Sequence, residues 1–219
     1  LPLGFDANNF KTLDKSLKIP GEISFLVGGK YEALRKRHTK VINLWAKKFG
    51  NVQGYKLNLA VHNPFLHRPD SQNPQEEAWQ NTMGLINQAL EGKHYWNINP
   101  IRYCPSNSQY NEVLQSSHVY LAMAGGEGRD LPAYHAVAMG AHCVGLKAHA
   151  YLDYLNDDNA VMVNPSSKIR AVDGIFFHEG QPFNQGNLYD WSDDEFSAAL
   201  DTVVERVKAN PINTEGLKL

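Results

Sequence analysis

Apolar residues recur along the chain in short blocks whose spacing alternates between that of a strand and that of a helix. Residues Ile23 to Val27 form a mostly apolar run that ends at Gly28-Gly29 and predicts a buried strand. From Ala33 to Phe49 apolar residues recur near helical spacing, and Gly50 is a natural helix end. Leu57 to Val61 predicts a second strand. This order of elements is typical of a βαβ unit.

The same rhythm continues towards the end of the chain. A helix is predicted after Asn73, which can cap it, with Pro74 in its first turn. The other predicted elements are strand-like ends within 95–103, a helix capped by Ser106, a strand at 118–122, a helix at 133–139, strands at 143–146 and 160–163, and a helix opened by Ser192 with Glu195. Such alternation predicts an α/β fold: a Rossmann-like, doubly wound parallel sheet with helices on both faces.

The length of 219 residues fits one such domain with additional segments at its ends. We expect residues 23–165 to form the Rossmann-like domain and residues 166–219 to form an irregular tail with a C-terminal helix. Residues 1–22 are rich in glycine, proline and asparagine and are expected to be loop-like. The aromatic residues of the segment 168–191 indicate packing against the body or against another domain.

The composition narrows the class of protein. The chain has 21 basic and 23 acidic side chains, so its charge of −2 gives no reason to expect a nucleic acid as partner. Its two cysteines, Cys104 and Cys143, form neither a disulfide framework nor a CxxC site. No apolar run approaches the ~20 residues of a transmembrane helix, and residues 1–25 have no secretory pattern. We therefore expect a cytoplasmic protein.

A cluster of cations follows the first predicted strand. Four basic side chains occur within eight residues, directly after the glycine pair: Lys30, Arg35, Lys36 and Arg37. Glycine lets a backbone approach a ligand closely, and cations beside a helix N-terminus can hold an anion such as a pyrophosphate. The same residues also fit a solvated basic turn. Because the segment matches neither GxGxxG nor a Walker A motif, it disfavours ordinary NAD and P-loop sites.

A second candidate segment follows the strand predicted at 118–122. Glu127 lies between Gly126 and Gly128, and we expect its carboxylate to be exposed and accessible. The next residues lead into a helix whose first backbone N–H groups can bind an anion or a hydroxyl. His135 is expected two turns along that helix, near the same face, although a partly buried structural histidine fits the position as well.

Together these segments resemble the C-terminal, donor-binding half of GT-B glycosyltransferases, in particular the retaining enzymes of family four (group 1). The family's G-R-x-x-x-x-R-K-G segment corresponds to Gly29–Arg37, and its G-E-G-F-G-L-P-x-x-E-A-M-A-x-G segment corresponds to Gly126–Gly140. Leu3–Phe10 resembles the family's interdomain N-G-V-D-x-x-x-F linker, so residues 1–22 would be a remnant of that linker. Asn164-Pro165 matches a strand end that often carries proline in the family.

The resemblance implies a role for each matching residue. Lys30 and Lys36 would hold the donor pyrophosphate, and Glu127 would act as the catalytic residue that binds hydroxyls of the transferred sugar. The loop 102–105 would lie against the nucleobase. The remaining donor-binding residues that the resemblance implies are Gly126, Gly128, Arg129, Asp130, Leu131, His135 and Tyr103.

The sequence departs from the family pattern at several of these positions. Lys30 replaces an arginine, Arg37 replaces a glycine, Arg129-Asp130 replaces Phe-Gly, and His135 replaces the second glutamate of the family motif. The lysine keeps the charge but loses bidentate geometry. An imidazole can still bond a ribose hydroxyl through one nitrogen, but it loses the capture of a diol by two oxygens.

The predicted function is donor binding for the transfer of a sugar from a nucleotide-diphosphate sugar to an acceptor hydroxyl, with retention and without a metal or other cofactor. The nine histidines lack the spacing of common metal ligands. A GT-B enzyme has two Rossmann-like domains and this chain has room for one. We therefore expect an N-terminal acceptor-binding domain to be missing and the isolated chain to be weakly active or inactive.

Two alternatives stay open. The first is another Rossmann-type nucleotide-binding module, such as a dehydrogenase or epimerase domain, although the glycine fingerprint that NAD binding needs is missing. The second is a degenerate interaction module that kept the fold and lost the ligand, an interpretation that Asp130 and His135 favour.

Overall fold

Six strands form one parallel sheet in the structure, a computed structural model that describes residues 5–11, 19–172, 177–183 and 186–219. The strands are β1 (Ile23–Gly29), β2 (Tyr55–Val61), β3 (Ile98–Pro100), β4 (Val119–Ala122), β5 (His142–Leu146) and β6 (Val161–Val163). Their order is β3-β2-β1-β4-β5-β6, and every pairing is parallel. This order is that of a doubly wound Rossmann-type sheet, so the predicted fold class is confirmed.

Five α-helices in the described part of the chain cover the two faces of this sheet. They are α1 (His38–Phe49), α2 (Pro74–Ala89), α3 (Asn107–Gln115), α4 (Leu131–Ala138) and α5 (Asp193–Ala209). α1 packs against α2 and α5, whereas α3 packs against α4. The predicted caps of α2 and α3 form, because the side chains of Asn73 and Ser106 each accept a backbone N–H at 3.3 Å. No helix in the described part of the chain is long and apolar enough to cross a membrane.

The helix α1 begins later than the apolar pattern predicts. The pattern places its start at Ala33, but residues 33–37 form a loop, and the helix starts at His38. Arg37 has a left-handed backbone conformation (φ 56°), which interrupts any helix that includes it. The Glu32 N–H donates to the buried His38 ring at 3.2 Å and closes this loop. The cationic segment therefore lies before α1 rather than inside it.

The predicted irregular tail is wrong in part, because it contains two strands. β7 (Pro165–Arg170) and β8 (Asn187–Trp191) pair as an antiparallel ribbon. The Trp191 indole N–H donates to the carbonyl of Met123 at 3.2 Å, so the ribbon is fixed against the end of β4. The predicted capping box before α5 does not form either, since the Ser192 side chain makes no capping hydrogen bond. Phe176, one of the aromatic residues of this segment, lies outside the described residues.

The sheet order determines where a ligand can bind. β1 and β4 are neighbours in the middle of the sheet, and the strand order reverses between them. Ligands of doubly wound sheets bind outside the carboxyl ends of the strands at this switch point. The loops that follow β1 and β4 leave the sheet at this edge, and they contain the two candidate segments.

Candidate functional site

The cationic turn after β1 and the acidic turn after β4 meet at the carboxyl edge of the sheet. The Lys36 ammonium lies 2.6 Å from one carboxylate oxygen of Glu127, and the Arg35 guanidinium lies 2.9 Å from the other. The backbones also meet, since the Gly125 N–H donates to the carbonyl of Arg35 at 2.7 Å. The Arg35 guanidinium donates to the carbonyl of Gly126 at 3.1 Å as well. The two segments that the sequence indicates are thus one surface in space.

The carboxylate of Glu127 is largely buried and not exposed as predicted. Its side chain is 10% exposed, and the Lys36 side chain is 9% exposed. The preceding glycines do not open this turn to solvent: a Cβ at Gly125 would lie 2.5 Å from the carbonyl oxygen of Tyr189 in β8. These glycines allow β8 to pack closely on the acidic turn. At Gly128, by contrast, nothing described lies within 4 Å of an added Cβ.

A second carboxylate extends the ion pairs into one network. Glu32 lies 2.5 Å from the Lys30 ammonium and 2.9 Å from Nε of Arg35. Burial by itself raises the pKa of Glu32, but the hydrogen bonds from Lys30 and Arg35 outweigh it and hold that pKa below its ordinary value. The network runs Lys30–Glu32–Arg35–Glu127–Lys36. Three cations share two carboxylates, so the network carries one surplus positive charge beside the cleft.

Two positions where the family that the sequence resembles has glycine adopt a left-handed backbone here. Arg37 has φ 56° and Asp130 has φ 54°, a conformation that costs a residue with a side chain about 1 kcal/mol or more. Side-chain contacts hold both residues in place. The Arg37 guanidinium lies 2.6 Å from Asp190 of β8, and the Tyr151 hydroxyl donates to Asp130 at 2.6 Å. The backbone geometry of the glycine positions is thus kept without glycine.

The side chain of Asp130 points into the protein rather than into the cleft. Burial raises the pKa of its carboxyl, and the nearby Lys36 opposes this rise. One carboxylate oxygen accepts from Tyr151, while the other has no hydrogen-bond partner among the described residues. Only the backbone of Asp130 is therefore placed to line a site at the start of α4.

The other predicted residues at the start of α4 differ in their surroundings. The Arg129 guanidinium stacks over two aromatic rings, 4.6 Å from the centre of Tyr134 and 5.2 Å from that of Tyr154. Leu131, the first residue of α4, is exposed. Arg129 is therefore held by aromatic packing, and Leu131 presents its backbone at the amino end of the helix.

His135 lies under the segment that resembles a linker. Its ring stacks on Phe10 with 4.0 Å between ring centres and meets Phe5 edge-on at 5.9 Å. Burial lowers the pKa of His135, and the charge of Asp6 opposes this effect only in part. Phe10 therefore covers one face of the imidazole that is predicted to contact a ribose. Leu3 and Gly4 of the linker-like segment lie outside the described residues.

A cleft opens beside the network at the ends of β1 and β3. It has a volume of about 370 Å³ and is lined by Gly29, Lys30, residues 101–107, Tyr110 and Pro132, among others. Tyr103 is 67% exposed at its rim. The cleft adjoins a hollow of about 660 Å³ that reaches the start of α2 and shares the loop around Tyr103. The predicted nucleobase loop therefore borders the same space as Lys30 and the start of α4.

Three residues of this site were missed by the sequence analysis as members of it. The sequence indicates Arg35 only as one of four cations, yet Arg35 joins both carboxylates. Glu32 and Tyr110 are not among the residues that it indicates. An acidic residue inside a basic run is a signal for an internal ion pair. No local pattern in the sequence distinguishes Tyr110 from a core aromatic residue.

Comparisons with known proteins show which folds this chain is similar to. No protein-family model and no curated protein sequence matches this chain. Among solved structures, the chain is similar to the C-terminal domain of a glycosyl transferase group 1 family protein (LpcC) from Francisella tularensis, with a TM-score of 0.63 and 16% identity over 98% of this chain and 95% of that one. It is also similar to sucrose-phosphate synthase from Thermosynechococcus elongatus, with a TM-score of 0.62 and 14% identity over 99% of this chain and 46% of that chain.

A third similar structure is that of Anabaena HepE, which was solved in complex with UDP and glucose. The TM-score is 0.59 and the identity 12%, over 98% of this chain and 48% of HepE. The chain thus spans less than half of the sucrose-phosphate synthase and HepE chains and nearly all of the LpcC domain. The chain has the fold of the C-terminal domain of a GT-B group 1 glycosyltransferase, as its motifs imply.

Proposed function

We propose that this chain is the donor-binding domain of a glycosyltransferase, which binds a nucleotide-diphosphate sugar for transfer of the sugar to an acceptor hydroxyl. The convergence of Lys36 and Arg35 on Glu127 at the switch point of the sheet carries this proposal. Cations, a sugar-binding carboxylate and a helix N-terminus are the groups that an activated sugar needs. The similar structures add support, because they include a domain of a glycosyl transferase group 1 family protein, a sucrose-phosphate synthase, and HepE in complex with UDP and glucose.

The transfer reaction releases a nucleoside diphosphate, so charge accumulates on the leaving group. Lys30 and Lys36 together with the N-terminus of α4 offset this charge by electrostatic attraction. These groups support independence from a metal ion as part of the proposal. Retention is also part of it, on the family resemblance alone. Glu127, once released from its two cations, would accept hydrogen bonds from hydroxyls of the transferred sugar.

The acceptor requires a second domain in this proposal. The site lies at one edge of a single sheet, and GT-B enzymes close their cleft with two Rossmann-like domains. We expect the chain alone to bind the donor weakly and to transfer little sugar. A radiolabelled transfer assay tests this expectation, and robust turnover by the isolated chain would contradict it.

Calorimetric titration with UDP, GDP, ADP and NAD⁺ tests the proposed function. We expect at least one nucleoside diphosphate to bind and NAD⁺ not to bind. Lys36→Met should abolish this binding, whereas the matched control Lys47→Met should not, since Lys47 is an exposed lysine of α1. Binding of NAD⁺ alone would favour a dehydrogenase or epimerase module.

A non-catalytic interaction module is the second candidate, and one observation favours it. The groups proposed to bind the donor already satisfy one another: Lys36 and Arg35 hold Glu127, and Phe10 covers His135. Under this alternative the network is a structural element that binds no ligand. The same titration separates the two, because the alternative predicts no binding of any nucleotide.

A further inference from the structure

The hydroxyl of Tyr110 is buried at the cleft without a partner. Tyr110 lies in α3, and the cleft that contains Gly29, Lys30 and Pro132 is lined by Tyr110 as well. Its hydroxyl oxygen is closed from water and has no hydrogen-bond partner among the described residues. A buried hydroxyl without a partner is destabilising, so it is a candidate for a hydrogen bond to a ligand.

The position of this hydroxyl is defined by the turn after β1. A Cβ added at Gly28 would lie 3.2 Å from the hydroxyl of Tyr110 and 3.2 Å from that of Tyr120. The two hydroxyls differ in their contacts, because Tyr120 donates to the carbonyl of Gly28 at 3.3 Å. At the next residue, a Cβ added at Gly29 would lie 3.3 Å from the Lys36 ammonium. The free hydroxyl and the buried ammonium therefore flank the same glycine pair.

The chemistry of this hydroxyl is that of a hydrogen-bond donor. Burial raises the pKa of Tyr110, and the negative charge of Asp130 raises it further, so the phenol keeps its proton at neutral pH. A neutral phenol beside Lys30 and Lys36 is suited to an anionic oxygen, since hydrogen bonds to charged acceptors are the stronger ones.

We propose that Tyr110 is a donor-binding residue whose hydroxyl donates a hydrogen bond to a phosphate oxygen of the nucleoside diphosphate. This assignment rests on the proposed function, and it adds a neutral hydrogen-bond donor to the cations of the site. The phosphate would lie in the cleft that Gly29, Lys30 and Tyr110 line together.

Removal of the hydroxyl tests the proposal by two independent readouts. Tyr110→Phe should bind UDP, GDP or ADP, whichever the wild type binds, about tenfold or more weakly. The variant should also bind inorganic pyrophosphate more weakly, by a similar factor, because the lost contact is to a phosphate. Its melting temperature should equal or exceed that of the wild type, since no internal hydrogen bond is lost. Tyr55→Phe, at the opposite edge of the sheet, is the matched control for affinity.

The outcomes separate the failure of this assignment from the failure of the proposed function. If the wild type binds no nucleoside diphosphate, the proposed function is wrong and the assignment with it. If the wild type binds and Tyr110→Phe binds equally well, only the assignment is wrong. A lower melting temperature of Tyr110→Phe shows an internal partner for the hydroxyl, and unchanged pyrophosphate binding shows a contact other than phosphate; each overturns the proposal.

Discussion

The largely buried ion pair between Lys36 and Glu127 makes a quantitative prediction about stability. Lys36→Met leaves the Glu127 carboxylate in a buried site with one cation instead of two, and Asp130 also loses a nearby positive charge. Removal of one partner of a buried pair costs about 3–5 kcal/mol. Because Arg35 remains 2.9 Å from Glu127, we expect the lower end, about 3 kcal/mol. For a chain of this size, that corresponds to a melting temperature lower by roughly 6–12 °C.

A double-mutant cycle measured by urea unfolding with circular dichroism tests this reasoning. Lys36→Met with Glu127→Gln removes both charges, so it should be about 2 kcal/mol more stable than the sum of the single effects predicts. Lys47→Met is the control, because this exposed lysine makes only a long ion pair of 3.9 Å. Two results would refute the description of a largely buried and coupled pair. One is a free energy of unfolding of Lys36→Met within about 0.5 kcal/mol of the wild type, and the other is strict additivity of the two substitutions.

Three further predictions follow from neighbouring residues. Glu32→Gln releases two cations of the network and should tighten the binding of a nucleoside diphosphate by about fivefold in calorimetry; weaker binding would show that Glu32 orients those cations instead. Burial raises the pKa of Asp130, so its ionisation costs stability as the pH rises above the ordinary carboxyl range. Asp130→Asn should therefore gain stability relative to the wild type as the pH rises above about 4 in urea midpoints. A difference that stays constant with pH would contradict this. Gly125→Ala should cost about 2 kcal/mol in thermal unfolding, because its Cβ meets the Tyr189 carbonyl at 2.5 Å; an unchanged melting temperature would contradict the close packing of β8.

The sequence predicts the parallel sheet well, because the apolar runs and helix caps that indicate its elements lie within each element. The apolar run of β1 and the side-chain caps of α2 and α3 occur where the sequence places them. The β7–β8 ribbon is missed, because β7 reads Pro-Ser-Ser-Lys-Ile-Arg and is stabilised by a distant partner strand rather than by its own pattern. The late start of α1 depends on the left-handed backbone of Arg37, a conformation that glycine or asparagine would signal more clearly.

The sequence predicts which residues form the candidate site, but not how deeply they are buried or which of them contact one another. The family resemblance and the sheet order together bring Lys36 and Glu127 to the same edge, and the structure places them 2.6 Å apart. The burial of Glu127 was not predictable, since it depends on β8, which packs on the acidic turn. The stacking of Phe10 on His135 likewise joins residues far apart in sequence, for which no local rule exists.

A crystal structure of the chain with a bound nucleoside diphosphate tests the central claim most directly. We expect the phosphates between the turn after β1 and the amino end of α4, with Lys36 turned from Glu127 to a phosphate oxygen and the Tyr110 hydroxyl within hydrogen-bond distance. A nucleotide bound elsewhere on the sheet, or a complex in which Lys36 and Glu127 keep their 2.6 Å contact while the phosphates face solvent, would contradict it.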